Sequence, residues 1–121
     1  MELLRYNYEY MNTNSHDEPV ELNAGIPLEV LFASQLAELF SSLSDPNRLR
    51  ILSILLHGEM HVQQISERVG MSQSAVSHQL RGLRQMRIVR ARKEGRLVFY
   101  CLDDDHVRKL YLFGLSHVQH E

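Results

Sequence analysis

Apolar residues recur at helical spacing through the first half of the chain. Between residues 27 and 43, leucines and phenylalanines fall on one helical face. Residues 46–57 are apolar on most sides, which is typical of a buried helix. Asp45 and Pro46 suit the cap and the first position of that helix, and Gly58 suits its end. The pattern predicts a helix at 27–43 and a central helix at 46–57.

Two shorter helices follow, joined by a tight turn. The first covers 62–69 and ends at Gly70, and Ser72 caps the second, at 73–86. This is the pattern of a helix-turn-helix. On the second helix the outward-facing side chains, which would read base edges in a major groove, are Ser74, Ser77, His78 and Arg81. The alternative is an ordinary solvated helix face.

The apolar pattern changes to period two at residues 89–102. Glu94-Gly95 supplies a turn, so the segment is predicted to be a β-hairpin, or wing. The basic residues on its outer face and tip are Arg90, Arg92, Lys93 and Arg96. Beside a helix-turn-helix, these side chains are predicted to contact DNA phosphates. A merely soluble hairpin is the alternative.

The last nineteen residues, 103–121, predict one amphipathic helix with metal-binding types of side chain at both ends. His106 and His117 are eleven residues apart, which is ~16 Å along a helix axis, so one helix cannot bring both to one ion. Two antiparallel copies can. Pairing position 104 with 120 and 106 with 117 places a two-fold axis near Leu112. The segment therefore predicts a homodimer with two symmetric metal sites.

Composition narrows the class of protein. The 121 residues predict one domain at 26–121, preceded by a flexible arm at 1–25. The net charge is −2, but basic residues concentrate at 81–96, which gives a neutral protein a basic face. Cys101 is the only cysteine, as expected in a reducing cytoplasm. No apolar run reaches membrane-spanning length, and a signal peptide is not expected.

Three sequence blocks, in order, resemble the ArsR/SmtB family of metal-responsive transcriptional repressors. They are SDPNRLRIL at 44–52, SQSAVSHQL at 72–80 and GRLVFY at 95–100. The resemblance implies a mainly α fold with a small β-hairpin, a dimeric winged helix-turn-helix. It further implies a homodimer built on the first and last helices. Such a dimer binds double-stranded, inverted-repeat operator DNA and releases it when metal binds.

The resemblance also implies a ligand set on the last helix. The matching positions are Asp104 and His106 of one subunit with His117 and His120 of the other. Three imidazoles and a carboxylate suit Zn(II), and Co(II) would fit the same tetrahedral site. Glu121 is an alternative to His120. Asp104 and His106 point apart inside a helix, so they converge only if Asp104 lies at the cap.

Other interpretations remain open. The aspartates would also stabilise a helix N-terminus simply as caps, and the histidines would also suit solvated helix ends. The family's second, cysteine-containing site is not expected, although a weak site using His16 and His61 is an alternative to ordinary surface histidines. The rival functions are a winged-helix repressor that does not sense metal and a metal-buffering protein. An enzyme is not expected, because four ligands close the metal shell.

Overall fold

The computed structural model describes residues 25–120, which form five helices and three strands. All of the predicted arm except Gly25 lies outside the described residues, and so do His16 and Glu121. The elements in chain order are α1 (Val30–Ser42), α2 (Pro46–Leu55), β1 (Met60–His61), α3 (Val62–Val69), α4 (Gln73–Gln85), β2 (Val89–Glu94), β3 (Leu97–Leu102) and α5 (Asp105–Gln119). The predicted winged helix-turn-helix is confirmed, with most helix ends within one or two residues.

Local chemistry explains where the helices begin and end. The Asp45 carboxylate accepts a hydrogen bond from the backbone of Asn47 at 2.8 Å and caps α2. Ser72 caps α4 through the backbone N–H of Ala75. Gly70 ends α3 in the left-handed conformation (φ 72°), which a residue without Cβ adopts at little cost. The tight turn between α3 and α4 is therefore encoded locally.

The hairpin pairs in the register that the alternating pattern requires. Val89 lies opposite Leu102 and Ala91 opposite Tyr100, with the turn at Gly95 in the left-handed region. A third strand, β1, was not predicted from the sequence. A strand of two residues is too short to show any periodicity, and only its pairing with β3, Met60 with Tyr100 and His61 with Phe99, reveals it. The sheet order is β1-β3-β2.

One core unites the central helix, the helix-turn-helix and the wing. Its fully buried members come from each of these elements and include Ile51, Leu55, Ile65, Val76, Leu80, Leu83 and Val89. The wing is packed on this core because Val89 and Leu102 close its inner edge. Val76, Leu80 and Leu83 thus turn one face of α4 into the core, and the opposite face is left for solvent or a partner.

The apolar faces of α1 and α5 are largely outside this core. Side chains of α1 such as Val30 and Phe40 are 80% and 50% exposed, and Leu112 of α5 is 45% exposed. The apolar groove beside them is lined by α1, α2 and α5 through Phe40, Leu43, Leu52, Leu110, Leu115 and Val118. Contiguous exposed apolar surface of this kind marks an interaction site.

Leu80→Ala should destabilise the fold by about 2–5 kcal/mol, because it opens a cavity in a core that has no solvent access at this position. Arg81→Ala, at the neighbouring exposed position, should change stability by less than about 0.5 kcal/mol. Urea unfolding at one fixed protein concentration measures both. Equal effects of the two substitutions would contradict the assignment of the buried face of α4.

Candidate DNA-reading surface and metal site

The outer face of α4 carries the four side chains predicted to read DNA. Ser74, His78 and Arg81 are exposed, and Ser77 is half-buried. Because Val76, Leu80 and Leu83 are fully buried on the opposite side, the helix cannot rotate these residues inward. The exposed face has hydroxyl, imidazole and guanidinium groups, which donate or accept hydrogen bonds at base edges.

The four basic residues predicted to bind phosphates fall into two pairs. Lys93 and Arg96 flank the wing turn and are exposed, and neither has a hydrogen bond or an ion pair within the described residues. Arg90, near the base of the wing, donates from Nε to Cys101 Sγ at 3.2 Å and from Nη1 to the Asp103 carbonyl at 3.3 Å. Of these four basic residues, only Lys93 and Arg96 at the wing tip have no competing contact within residues 25–120.

Arg92 is held within the protein by two carboxylates. It donates to both oxygens of Glu59 at 2.6 and 2.8 Å and to Glu94 at 2.6 Å. Its guanidinium also lies over the Phe99 ring, 4.8 Å from the ring centroid. Glu59 lies 33 residues before Arg92, and no sequence pattern links the two. The contact ties the wing to the loop before β1.

This ion pair shifts the pKa of both partners. The hydrogen bond from Arg92 lowers the pKa of Glu59 below its ordinary value. The carboxylates of Glu59 and then Glu94 raise the pKa of Arg92. Arg92 is charged at any physiological pH, so the pair loses its charge only when Glu59 is protonated.

Asp104 and His106 come together at the N-terminus of α5. Asp104 is the N-cap, with extended backbone, and its Oδ1 accepts from the Val107 backbone N–H at 3.0 Å. Its Oδ2 lies 3.5 Å from His106 Nδ1. The predicted cap position is confirmed. The cap and the candidate ligand are therefore the same aspartate.

The spacing of these two atoms fits a shared metal ion. Two ligands that are each about 2.0 Å from a tetrahedral ion are separated by about 3.3 Å. The observed 3.5 Å between carboxylate oxygen and imidazole nitrogen is close to that value. One carboxylate oxygen remains available because capping uses the other.

The second pair of predicted ligands lies at the opposite end of α5. His117 is in the last turn, and His120 is the C-cap, whose backbone N–H donates to Ser116 and His117. Both side chains are exposed. Within residues 25–120 of one chain, no three His, Cys, Asp or Glu side chains gather as a metal would require. The four predicted ligands form two pairs, one at each end of a single helix.

His61 has a structural role at the start of α3. Its Nδ1 accepts from the Gln64 backbone N–H at 3.4 Å, and the Gln64 side chain accepts from the His61 backbone. The ring also meets the edge of Phe99 at a centroid distance of 5.5 Å. This capping box accounts for His61 without a metal.

Among the helices of residues 25–120, none has the length and apolar character that a membrane span requires.

These features define a winged helix-turn-helix protein with an exposed recognition helix. Residues 45–91 match the sequence profile described as bacterial regulatory protein, arsR family. The chain is 42% identical over 94 residues to the HTH-type transcriptional regulator NmtR of Mycobacterium tuberculosis, covering 78% of each protein. The chain therefore belongs to the arsR family of bacterial regulatory proteins, whose members regulate transcription and are not enzymes.

Further relatives agree with this assignment. The transcriptional repressor SmtB homolog of Synechocystis sp. is 48% identical over 87 residues, which cover 72% of this chain and 66% of the relative. The solution structure of apo-NmtR superposes with a TM-score of 0.69 at 37% identity, covering 88% and 90% of the two chains. The homodimeric winged helix-turn-helix domain of Mb0332 from Mycobacterium bovis superposes with a TM-score of 0.70 at 27% identity, covering 82% and 93%.

Glu59→Gln should destabilise the protein at neutral pH and progressively less in acid. The lowered pKa of Glu59 means that its contribution is fully present above the unfolded pKa of about 4.3 and is lost as pH falls through the folded pKa. Unfolding free energies of the wild type and the variant from pH 7 to pH 3 measure this. In an Arg92→Gln background the same substitution should have a much smaller pH-dependent effect, because only the charge of Arg90 then still lowers the pKa of Glu59. A difference that persists unchanged at pH 3 would contradict the ion-pair explanation.

Proposed function

We propose that the protein is a metal-responsive transcriptional repressor that binds an inverted-repeat operator as a homodimer. Release follows when Zn(II), or Co(II), binds between the last helices. The observation that carries the proposal is the pairing of Asp104 Oδ2 with His106 Nδ1, 3.5 Å apart, at one end of an exposed helix whose other end bears His117 and His120. The DNA-binding and dimerisation domain would be the one predicted at 26–121, acting in the cytoplasm.

The exposed apolar faces of α1 and α5 support the dimer. Val30 and Val118, at the outer ends of these helices, are 80% and 75% exposed in a single chain. A second copy that packs α1 and α5 against their counterparts would remove this surface from water. The homodimeric state of the Mycobacterium bovis domain is consistent with this arrangement.

An antiparallel pairing of two α5 helices would complete the metal site. Asp104 and His106 of one subunit would hold the ion together with His117 and His120 of the partner subunit. The donor set, one carboxylate and three imidazoles, suits a tetrahedral Zn(II) or Co(II) ion. The relatives named as SmtB homolog and NmtR support a metal-responsive function through the family, and the choice of zinc rests on this donor set.

The two α4 helices would read successive major grooves about 34 Å apart. Ser74, Ser77, His78 and Arg81 would contact bases and nearby backbone. Lys93 and Arg96 at the wing tip would contact phosphates, since they have no competing partner among residues 25–120. Arg90 would add positive potential near DNA. Arg92, ion-paired with Glu59 and Glu94, would instead hold the wing in place.

Metal bound between the two α5 helices and DNA bound by the two α4 helices would compete, because both depend on the angle between the two subunits. Ligands from both subunits fix the relative position of the two last helices, and this alters the distance between the two reading heads. The coupling is reciprocal, so the factor by which metal weakens DNA binding is the factor by which DNA weakens metal binding.

Zinc should weaken binding of the wild-type dimer to a duplex from upstream of its own gene by roughly 5- to 150-fold. His117→Ala should retain zinc-free binding and lose the zinc response. Fluorescence anisotropy with and without Zn(II), Co(II), Ni(II) and Cd(II) measures both. His57→Ala, at an exposed histidine outside α5, is the matched control and should respond as the wild type does.

Asp104→Asn makes this test selective for the metal. Asparagine caps a helix as well as aspartate does, so the variant keeps α5 stable and replaces an anionic ligand by a neutral one. Loss of the zinc response with unchanged thermal stability supports the proposed ligand. Operator binding that is indifferent to zinc in the wild type would favour the repressor that does not sense metal. Zinc binding without operator binding would favour the buffering protein.

Replacing Lys93 or Arg96 by alanine should weaken DNA binding and reduce its salt dependence. The slope of log K against log salt should fall by about 0.9 for each phosphate that the variant no longer neutralises, and a dimer has two such phosphates per substitution. The control is the charge-neutral double variant Glu59→Gln/Arg92→Gln, because that pair is already neutralised within the protein. An unchanged slope in the Arg96 variant would exclude the wing tip from the phosphate contacts.

A further inference from the structure

Arg48 joins three helices at a point outside both proposed sites. It lies half-buried near the start of α2. Its Nε donates to Gln79 Oε1 of α4 at 2.7 Å, and its Nη1 donates to the Ser42 carbonyl at the end of α1 at 2.9 Å. That carbonyl is one of the acceptors that the last turn of a helix leaves unsatisfied. A planar guanidinium with several donors can serve both acceptors at once.

The Gln79 amide is held at both of its polar atoms. Its Oε1 accepts from Arg48, and its Nε2 donates to Asp45 Oδ2 at 3.4 Å. The other oxygen of Asp45 caps α2. The orientation of Gln79, in the middle of α4, is therefore set by side chains at the start of α2.

Gly82 shows how closely α4 passes this point. A Cβ added at Gly82 would lie 3.0 Å from Arg48 Nη2. Gly82 follows Gln79 by three residues, so both lie on the same side of α4. The guanidinium thus fills the space between α2 and α4 against bare backbone.

The last helix reaches the same turn of α2. Tyr111, near the middle of α5, donates its hydroxyl hydrogen to the Leu49 carbonyl at 3.2 Å. Leu49 follows Arg48 directly, and its own N–H donates to the Asp45 carbonyl. The first turn of α2 is consequently in contact with α1, α4 and α5.

We propose that Arg48 and Gln79 are positioning residues that hold the reading helix at the angle required for sequence-specific DNA binding. Together with Asp45 and the Ser42 carbonyl they form the Arg48 junction. This junction connects α4 to α1 directly and to α5 through the adjacent Leu49 carbonyl, so a rearrangement of α1 and α5 reaches α4 through it. The inference rests on the proposed function and adds residues to it that touch neither DNA nor metal.

The physical basis is the different geometric tolerance of the two kinds of DNA contact. Hydrogen bonds to base edges need donors and acceptors aligned within the normal range of distance and angle. Attraction to phosphates is sequence-independent and depends mainly on charge. A reading helix released from the junction should therefore lose specific binding and keep non-specific binding.

The experiment compares Arg48→Met and Gln79→Ala with the wild type. The probes are the highest-affinity duplex selected from a random-sequence pool by the wild type and a shuffled duplex of the same composition. Each variant should bind the selected duplex at least about tenfold more weakly, the size of one bidentate hydrogen bond to a base. Binding to the shuffled duplex should stay within about twofold, since phosphate contacts are unchanged apart from the removal of one inward-facing charge in Arg48→Met.

A double-mutant cycle tests whether the two residues act together. The double variant Arg48→Met/Gln79→Ala should bind the selected duplex with the same affinity as whichever single variant binds it less tightly, because either change opens the junction. Gln85→Ala, at an exposed position on the same helix, is the control and should behave as the wild type. If Arg48→Met does not fold, Gln79→Ala carries the test, because alanine favours the helix. Thermal melting monitors folding of each variant.

Two results would overturn the inference. One is that neither affinity changes in either variant, and the other is that both affinities fall by the same factor; in each case the ratio of selected to shuffled affinity is unchanged. Zinc provides a separate readout: the factor by which it weakens the selected complex should shrink at least about fivefold in Gln79→Ala. A wild type that prefers its selected duplex but ignores zinc would reject the metal-sensing proposal alone, and the affinity ratio would still decide on the junction.

Discussion

The apolar surface that one chain leaves uncovered on α1 and α5 is the constraint on which the rest of the proposed function depends. The central core lies on one side of the molecule, where the apolar faces of α2, α3, α4 and the wing bury one another. Helices α1 and α5 present apolar side chains to water instead. Such a surface favours association with a second copy, and any symmetric association through α1 and α5 fixes where two α4 helices lie relative to each other.

In the proposed function, the placement of the candidate ligands would make this association the step that metal controls. Asp104 and His106 converge at one end of α5, and His117 and His120 lie at the other. A helix is too stiff to close on itself, so the two pairs become one site only through another subunit. Metal binding would then be inseparable from the geometry of the dimer. Asp104 combines two tasks, since one carboxylate both caps the helix and presents an oxygen toward the histidine.

The sequence predicted the elements well because their signals are local. Asp45-Pro46, Gly70 and Ser72 mark helix ends through contacts within a few residues, and alternation with a turn glycine indicates the hairpin. The two-residue strand β1 and the Glu59–Arg92 pair were missed, because each depends on a partner more than thirty residues away. The Asp104 cap was predictable because the convergence of positions 104 and 106 requires non-helical backbone at position 104. The four ligands remain a prediction, because a site shared by two subunits depends on contacts that no local pattern in the sequence encodes.

The arginines explain why charge alone describes the DNA surface poorly. The sequence places Arg90, Arg92 and Arg96 in one basic run, yet the first two donate to groups of the protein and only Arg96 is free of such contacts among residues 25–120. Arg48 lies far from that run and bridges α1 to α4. A guanidinium held by several hydrogen bonds fixes geometry more than it attracts phosphate, because moving it would break those bonds. Positive charge at the wing tip would therefore supply affinity, whereas the arginines that are hydrogen-bonded to other groups of the protein would set the angles on which specificity depends.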